Sequence, residues 1–187
     1  GPVLLAARHY HHLHDGAALM ATIPRPTRIL VGLDWIEQAA TKWAMDRACQ
    51  AAGWPVVQRR RPGTNDARDG DVRALLHALD QSVAILRSGE VLVVFPEGYP
   101  TIDPTWTPKT RDDEVLPFQP GIVRIAKHAA RDGIAVPIVP VGLDYACGDR
   151  WHLVMRFGSP VFMPHGVPES AVLADLRRQV IHLSGGG

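Results

Sequence analysis

Two continuous apolar runs punctuate the chain, Val3 to Ala7 and Val91 to Phe95. Each has five residues with no polar interruption, the pattern of a strand covered on both faces in a parallel sheet. Thr27 to Leu33, Val56-Val57, Val136 to Leu143 and Trp151 to Phe157 read as further strands. Between them the period changes to that of helices. Trp35 to Ala52 carries Ile36, Ala40, Trp43 and Ala44 on one stripe and meets a stop at Gly53. Asp71 to Arg87 places Val72, Leu75, Leu76, Leu79, Val83 and Leu86 on one face and ends at Gly89. Pro120 suits the first turn of a helix running through Ala130, and Pro168 to Leu183 gives the last helix. A short helix over Gly16 to Met20 has Asp15 as its expected N-cap. Strands alternating with helices predict a three-layer α/β/α domain with a mostly parallel central sheet and right-handed crossovers.

The 187 residues suit a single domain spanning 1–187. Hydrophobic residues at 46% and charged residues at 21% predict a packed globular chain. A formal charge of +1 gives no electrostatic reason to expect a nucleic-acid partner. Cys49 and Cys147 are far apart and form no metal-type pair, which favours a reducing compartment. No apolar run reaches the roughly 20 residues of a membrane span, so the chain is expected to be soluble. Gly1-Pro2 stands directly before a strand and reads as a cloning remnant or the start of a trimmed chain, whose lost segment could have bound a membrane.

Chemistry concentrates where strands end. Phe95-Pro96-Glu97-Gly98 stops its strand abruptly, because Pro96 cannot donate to a ladder and Gly98 permits a sharp turn. Glu97 is thereby held at the carboxyl edge of the sheet, the edge where open α/β sheets bind ligands. After Ala7, four of the nine histidines fall within six residues. His9 at the strand end and Asp15 at the helix start suit a general base and the carboxylate that orients it. A metal site and a solvated structural cluster are the competing readings of that turn. Arg59, after the Gly53-Trp54-Pro55-Val56-Val57 entry, offers a donor fork matched to phosphate, whereas Arg60 and Arg61 read as surface charge. Tyr99 to Gln119 forms a long polar excursion over the same edge.

The ordered set resembles the glycerolipid acyltransferase superfamily that includes lysophosphatidic acid acyltransferases. Its N-H-x-x-x-x-D motif is similar to Arg8-His9 through Asp15, and its G-x-x-[FV]-[IV]-x-R motif to Gly53 through Arg59. Its F-P-E-G-[TS]-R and V-P-[IV]-[VI]-P-V motifs are similar to Phe95 through Pro100 and to Val136 through Val141. Leu116 through Gly121 resembles its L-x-x-F-x-x-G stretch. The resemblance implies transfer of a fatty acyl group from an acyl-CoA or acyl-ACP thioester to a free hydroxyl of a lysophospholipid or related glycerolipid. It implies His9 as base, Asp15 as its orienting group, and substrate binding by Arg59, Glu97 and Gly98. It implies no metal and no cofactor beyond the thioester co-substrate. A lipid acceptor further implies a cytoplasmic protein docked peripherally on a membrane surface. Trp106 in the long loop is either part of that docking surface or packed back on the domain.

Two positions depart from the motifs. His9 and Asp15 are separated by five residues rather than four, which makes His11 a rival for the base and puts Tyr10 at the family spacing. Tyr99-Pro100 stands where Thr or Ser and Arg are usual, so a phosphate contact is missing unless Lys109 or Arg111 supplies it. Two other functions stay open: a relative that binds lipid or acyl chains without turnover, and a metal-dependent hydrolase.

Overall fold

The computed structural model describes residues 1–33, 36, 38–57, 69–103, 106–163 and 166–185. The chain forms β1 (Val3–Ala7), α1 (His14–Thr22), β2 (Thr27–Ile29), β3 (Val31–Gly32), α2 (Ala39–Ala52) and β4 (Val56–Val57). Then follow α3 (Asp69–Arg87), β5 (Val91–Val94), α4 (Gly121–Arg131), β6 (Ile138–Cys147), β7 (Trp151–Phe157) and α5 (Glu169–Leu183).

The main sheet has the order β2-β5-β1-β6-β7. The apolar strand β1 lies at its centre, parallel to both β5 and β6. β2 joins β5 in parallel and β7 joins β6 in antiparallel fashion, so the sheet is mostly parallel. Alternate residues of the central strands feed two cores, as a strand's period of two requires. Leu4, Ala6, Leu92, Val94 and Ile138 pack under α3, α4 and α5. Leu5, Ala7, Val91, Val93, Val141 and Leu143 pack with Leu19 of α1 on the other face. Burying each such Leu or Val contributes roughly 1.5–3 kcal/mol relative to exposure. α5 lies close over β6 because Gly142 has no side chain: a Cβ there would meet the Leu183 backbone at 2.3 Å.

Several elements differ from their sequence pattern. The expected strand Thr27 to Leu33 divides at Leu30. Its first part joins the main sheet, and its second pairs with β4 in a separate two-stranded parallel sheet. The helix expected from Trp35 begins at Ala39, and Trp35 lies outside the described residues. Its inward residue is Cys49 and Trp43 is 67% exposed, so the stripe read through Trp43 is not the packing face. In α3 only the second half of the apolar face is covered: Val83 and Leu86 are buried, while Val72, Leu75 and Leu76 are exposed. β6 runs past Leu143 to Cys147 because β7 pairs with it through that end. Asp15 does not cap α1. The cap position is Leu13, and Asp15 sits inside the first turn with its side chain fully buried.

Candidate active site

β1 and β5 are neighbours in parallel register, with Ala6 opposite Val94. Both therefore deliver their next residues to the same edge. One residue past β5, the ring of Phe95 stacks on the ring of His9, two residues past β1, at 4.3 Å between centroids and 17° between planes. Gly98 closes the turn after Phe95 with φ 78°, a conformation suited to glycine, and its N–H donates to the Phe95 carbonyl at 3.0 Å.

Glu97 is 1% exposed, and both its oxygens face protein. Oε1 accepts the His9 N–H at 2.7 Å, and Oε2 accepts the Leu116 N–H at 2.8 Å. Lys109 Nζ lies 2.6 Å from Oε2, with both side chains fully buried. The same ammonium donates to the His9 carbonyl at 2.7 Å. Glu97 and Lys109 thus hold the His9 backbone from both its N–H and its C=O, and they tie the long loop to the same point. Burial lowers the Lys109 pKa, while the Glu97 carboxylate opposes that shift.

Asp15 is the second fixed carboxylate. Its Oδ2 accepts the Tyr10 N–H at 2.6 Å and the His11 N–H at 2.9 Å, and lies 3.0 Å from His9 Nδ1. Its Oδ1 accepts the Tyr145 hydroxyl at 2.7 Å. The surrounding partners donate, so the His9 hydrogen belongs on Nδ1 and the lone pair is left on Nε2. The His9 side chain retains 14% exposure, unlike the fully buried Asp15. Chemically this is an oriented imidazole, able to take a proton at Nε2 while a buried carboxylate stabilises the resulting cation.

His11 is built differently. Its Nδ1 accepts weak contacts from the Leu13 and His14 N–H groups at 3.3 and 3.4 Å, and its ring stacks on His14 at 3.8 Å. It contacts Asp15 through its backbone, not its ring. Desolvation by burial, followed by His14 and His12, lowers its pKa. Among the described residues no three His, Cys, Asp or Glu side chains converge as a metal-ligand set.

The structure brings His9, Asp15, Glu97 and Gly98 together at one edge. Arg59 lies outside the described residues. Lys109 is consumed within the bracket around His9, and Arg111 is 71% exposed and paired with Asp113 at 2.9 Å. Trp106 is 56% exposed and lies edge-on to Tyr99, with 5.4 Å between ring centroids. No helix among the described residues is long and apolar enough to cross a membrane. The sequence reading missed Tyr145 because it ended the strand at Leu143, although the alternation of Val141, Leu143 and Tyr145 would have carried it onto the α1 face.

A family model described as Acyltransferase matches residues 1–144, a span that contains His9, Asp15, Glu97 and Lys109. No curated protein matches the chain.

Proposed function

The chain belongs to the acyltransferase family, and from that premise we propose that it moves a fatty acyl group from an acyl-CoA or acyl-ACP thioester to a free hydroxyl of a lysophospholipid or related glycerolipid. The observation that carries this reading is the 3.0 Å contact between His9 Nδ1 and the buried Asp15, in a turn that also fixes the His9 backbone through Glu97.

In this reaction His9 Nε2 takes the proton of the acceptor hydroxyl as its oxygen attacks the thioester carbonyl. The tetrahedral adduct collapses, the C–S bond breaks, and the departing thiolate recovers the proton from the imidazolium. Asp15 stabilises that imidazolium and holds the tautomer. No covalent acyl-enzyme forms, and a base of this kind contributes about a hundred- to ten-thousand-fold. Glu97, expected from the motif to bind substrate, acts instead through its hold on the His9 backbone, because protein groups take both its oxygens; Gly98 shapes the turn beside the acceptor, and Arg59 is assigned to an anionic group of the acceptor. The chain acts as a single domain docked on the cytoplasmic face of a membrane, where its acceptor resides.

Incubation of the protein with radiolabelled acyl-CoA or acyl-ACP and a panel of lysophospholipids and neutral alcohol lipids tests the reading. Label in a diacyl product, without label retained on the protein, is expected. A labelled protein intermediate, or no transfer to any acceptor, contradicts it.

A further inference from the structure

We propose that Tyr145 is a positioning residue that sets the proton affinity of His9 through Asp15. Tyr145 lies one residue beyond the span that the family model matches, on the part of β6 that pairs with β7. Its hydroxyl donates to Asp15 Oδ1 at 2.7 Å, while the His9, Tyr10 and His11 contacts all fall on Oδ2. Each carboxylate oxygen therefore has its own set of partners, and Tyr145 is the side chain that holds Oδ1.

The tyrosine ring is fixed on two sides. It stacks on Tyr10 at 4.5 Å and 17°, and Trp151 of β7 meets it edge-on at 6.2 Å. Arg8 lies 5.2 Å over the far partner of that stack, Tyr10. A ring held this way aims its hydroxyl along one direction, and the half-buried phenol finds its partner in Asp15. Donation to Oδ1 draws electron density from the carboxylate and weakens its pull on the His9 Nδ1 hydrogen. Loss of the hydroxyl leaves Asp15 a stronger acceptor and favours the imidazolium. The other charged or titratable groups around the pair are Arg8, Tyr10, His11, Glu97 and Lys109, and Tyr145→Phe removes none of them.

The consequence for catalysis rests on the reading of His9 as the base, but the test does not depend on turnover. The His9 imidazole is followed by long-range 1H–15N NMR across a pH titration and identified by the signal lost in His9→Gln. Tyr145→Phe keeps the ring stack and is expected to raise the His9 pKa by roughly half a unit to one unit, a fraction of the full effect of one hydrogen bond to a charged group because it reaches His9 through Asp15. The acid limb of the pH–rate profile is expected to move up with it. Incorporation of 3-fluorotyrosine at position 145 makes the phenol a better donor and is expected to shift His9 the other way, which keeps the test decisive if Tyr145→Phe fails to fold. A His9 pKa that is the same in a folded variant and in the parent overturns the proposal, even if acyl transfer depends on His9. A shifted His9 pKa with transfer that survives loss of His9 leaves this coupling intact and removes the proposed function instead.

Discussion

His9 Nδ1 lies 3.0 Å from Asp15 Oδ2 although five residues stand between them, one more than the spacing of the family motif. The extra residue is absorbed in the turn. Tyr10 and His11 both direct backbone N–H groups at Oδ2, which pulls the turn around the carboxylate. The Tyr10 ring, which the usual spacing would select, instead stacks on Tyr145. The insertion therefore changes the path of the chain and leaves the imidazole beside the acid.

Lys109 makes the first prediction, because its side chain and that of Glu97 are both fully buried. Removing one partner of such a pair leaves a charge without compensation, at a cost of about 3–5 kcal/mol. Lys109→Met is expected to lower unfolding stability by that amount in urea titrations. Arg111→Met, which removes an exposed pair, is expected to change stability by less than about 0.5 kcal/mol. Equal effects of the two substitutions would show that the bracket around His9 does not support the fold.

How much of this was legible in the sequence differs from residue to residue. Val91 to Val94 and Val3 to Ala7 announced the sheet centre, because short unbroken aliphatic runs suit strands covered on both faces. Their adjacency, and with it the meeting of His9 and Glu97, followed from parallel topology. Trp43 misled because an aromatic at helical spacing counts as apolar wherever it points, and only packing shows that Cys49 faces inward. Lys109 looked like a free loop cation, since no local pattern records that a loop folds back beneath its own active-site edge. The site therefore follows from its motifs at His9 and Glu97. Its supports at Lys109 and Tyr145 come from long-range contacts that a linear pattern does not encode.

Tyr145 gives a pH prediction for stability. Burial, followed by the neighbouring Asp15 charge, raises its pKa above the ordinary tyrosine value. The folded state thus favours the neutral phenol. Its contribution is fully present below the unfolded value near 10 and is lost as pH rises from there towards the folded value. Urea unfolding at intervals from about pH 8 to about pH 11 is expected to show a steeper alkaline loss in the parent protein than in Tyr145→Phe. Parallel curves would contradict this, and the comparison cancels the separate alkaline contribution of Lys109.

Gly142 predicts a packing defect. A methyl group there meets the Leu183 carbonyl carbon and Cβ at 2.3 and 2.5 Å, where backbone cannot yield as a flexible side chain can. Gly142→Ala is expected to cost at least about 1–3 kcal/mol and to loosen α5, seen as faster hydrogen exchange across Glu169–Leu183. Unchanged exchange in α5 would mean that the close approach to β6 is not needed for its packing.

The central claim is that His9, and not its neighbour His11, is the base. The most direct measurement compares single-turnover acyl transfer by the parent protein, His9→Ala and His11→Ala, with folding of each checked by circular dichroism. Loss of about a hundred- to ten-thousand-fold in His9→Ala, with His11→Ala within a few-fold of the parent, is the predicted result. Transfer that survives in His9→Ala and disappears in His11→Ala would contradict it.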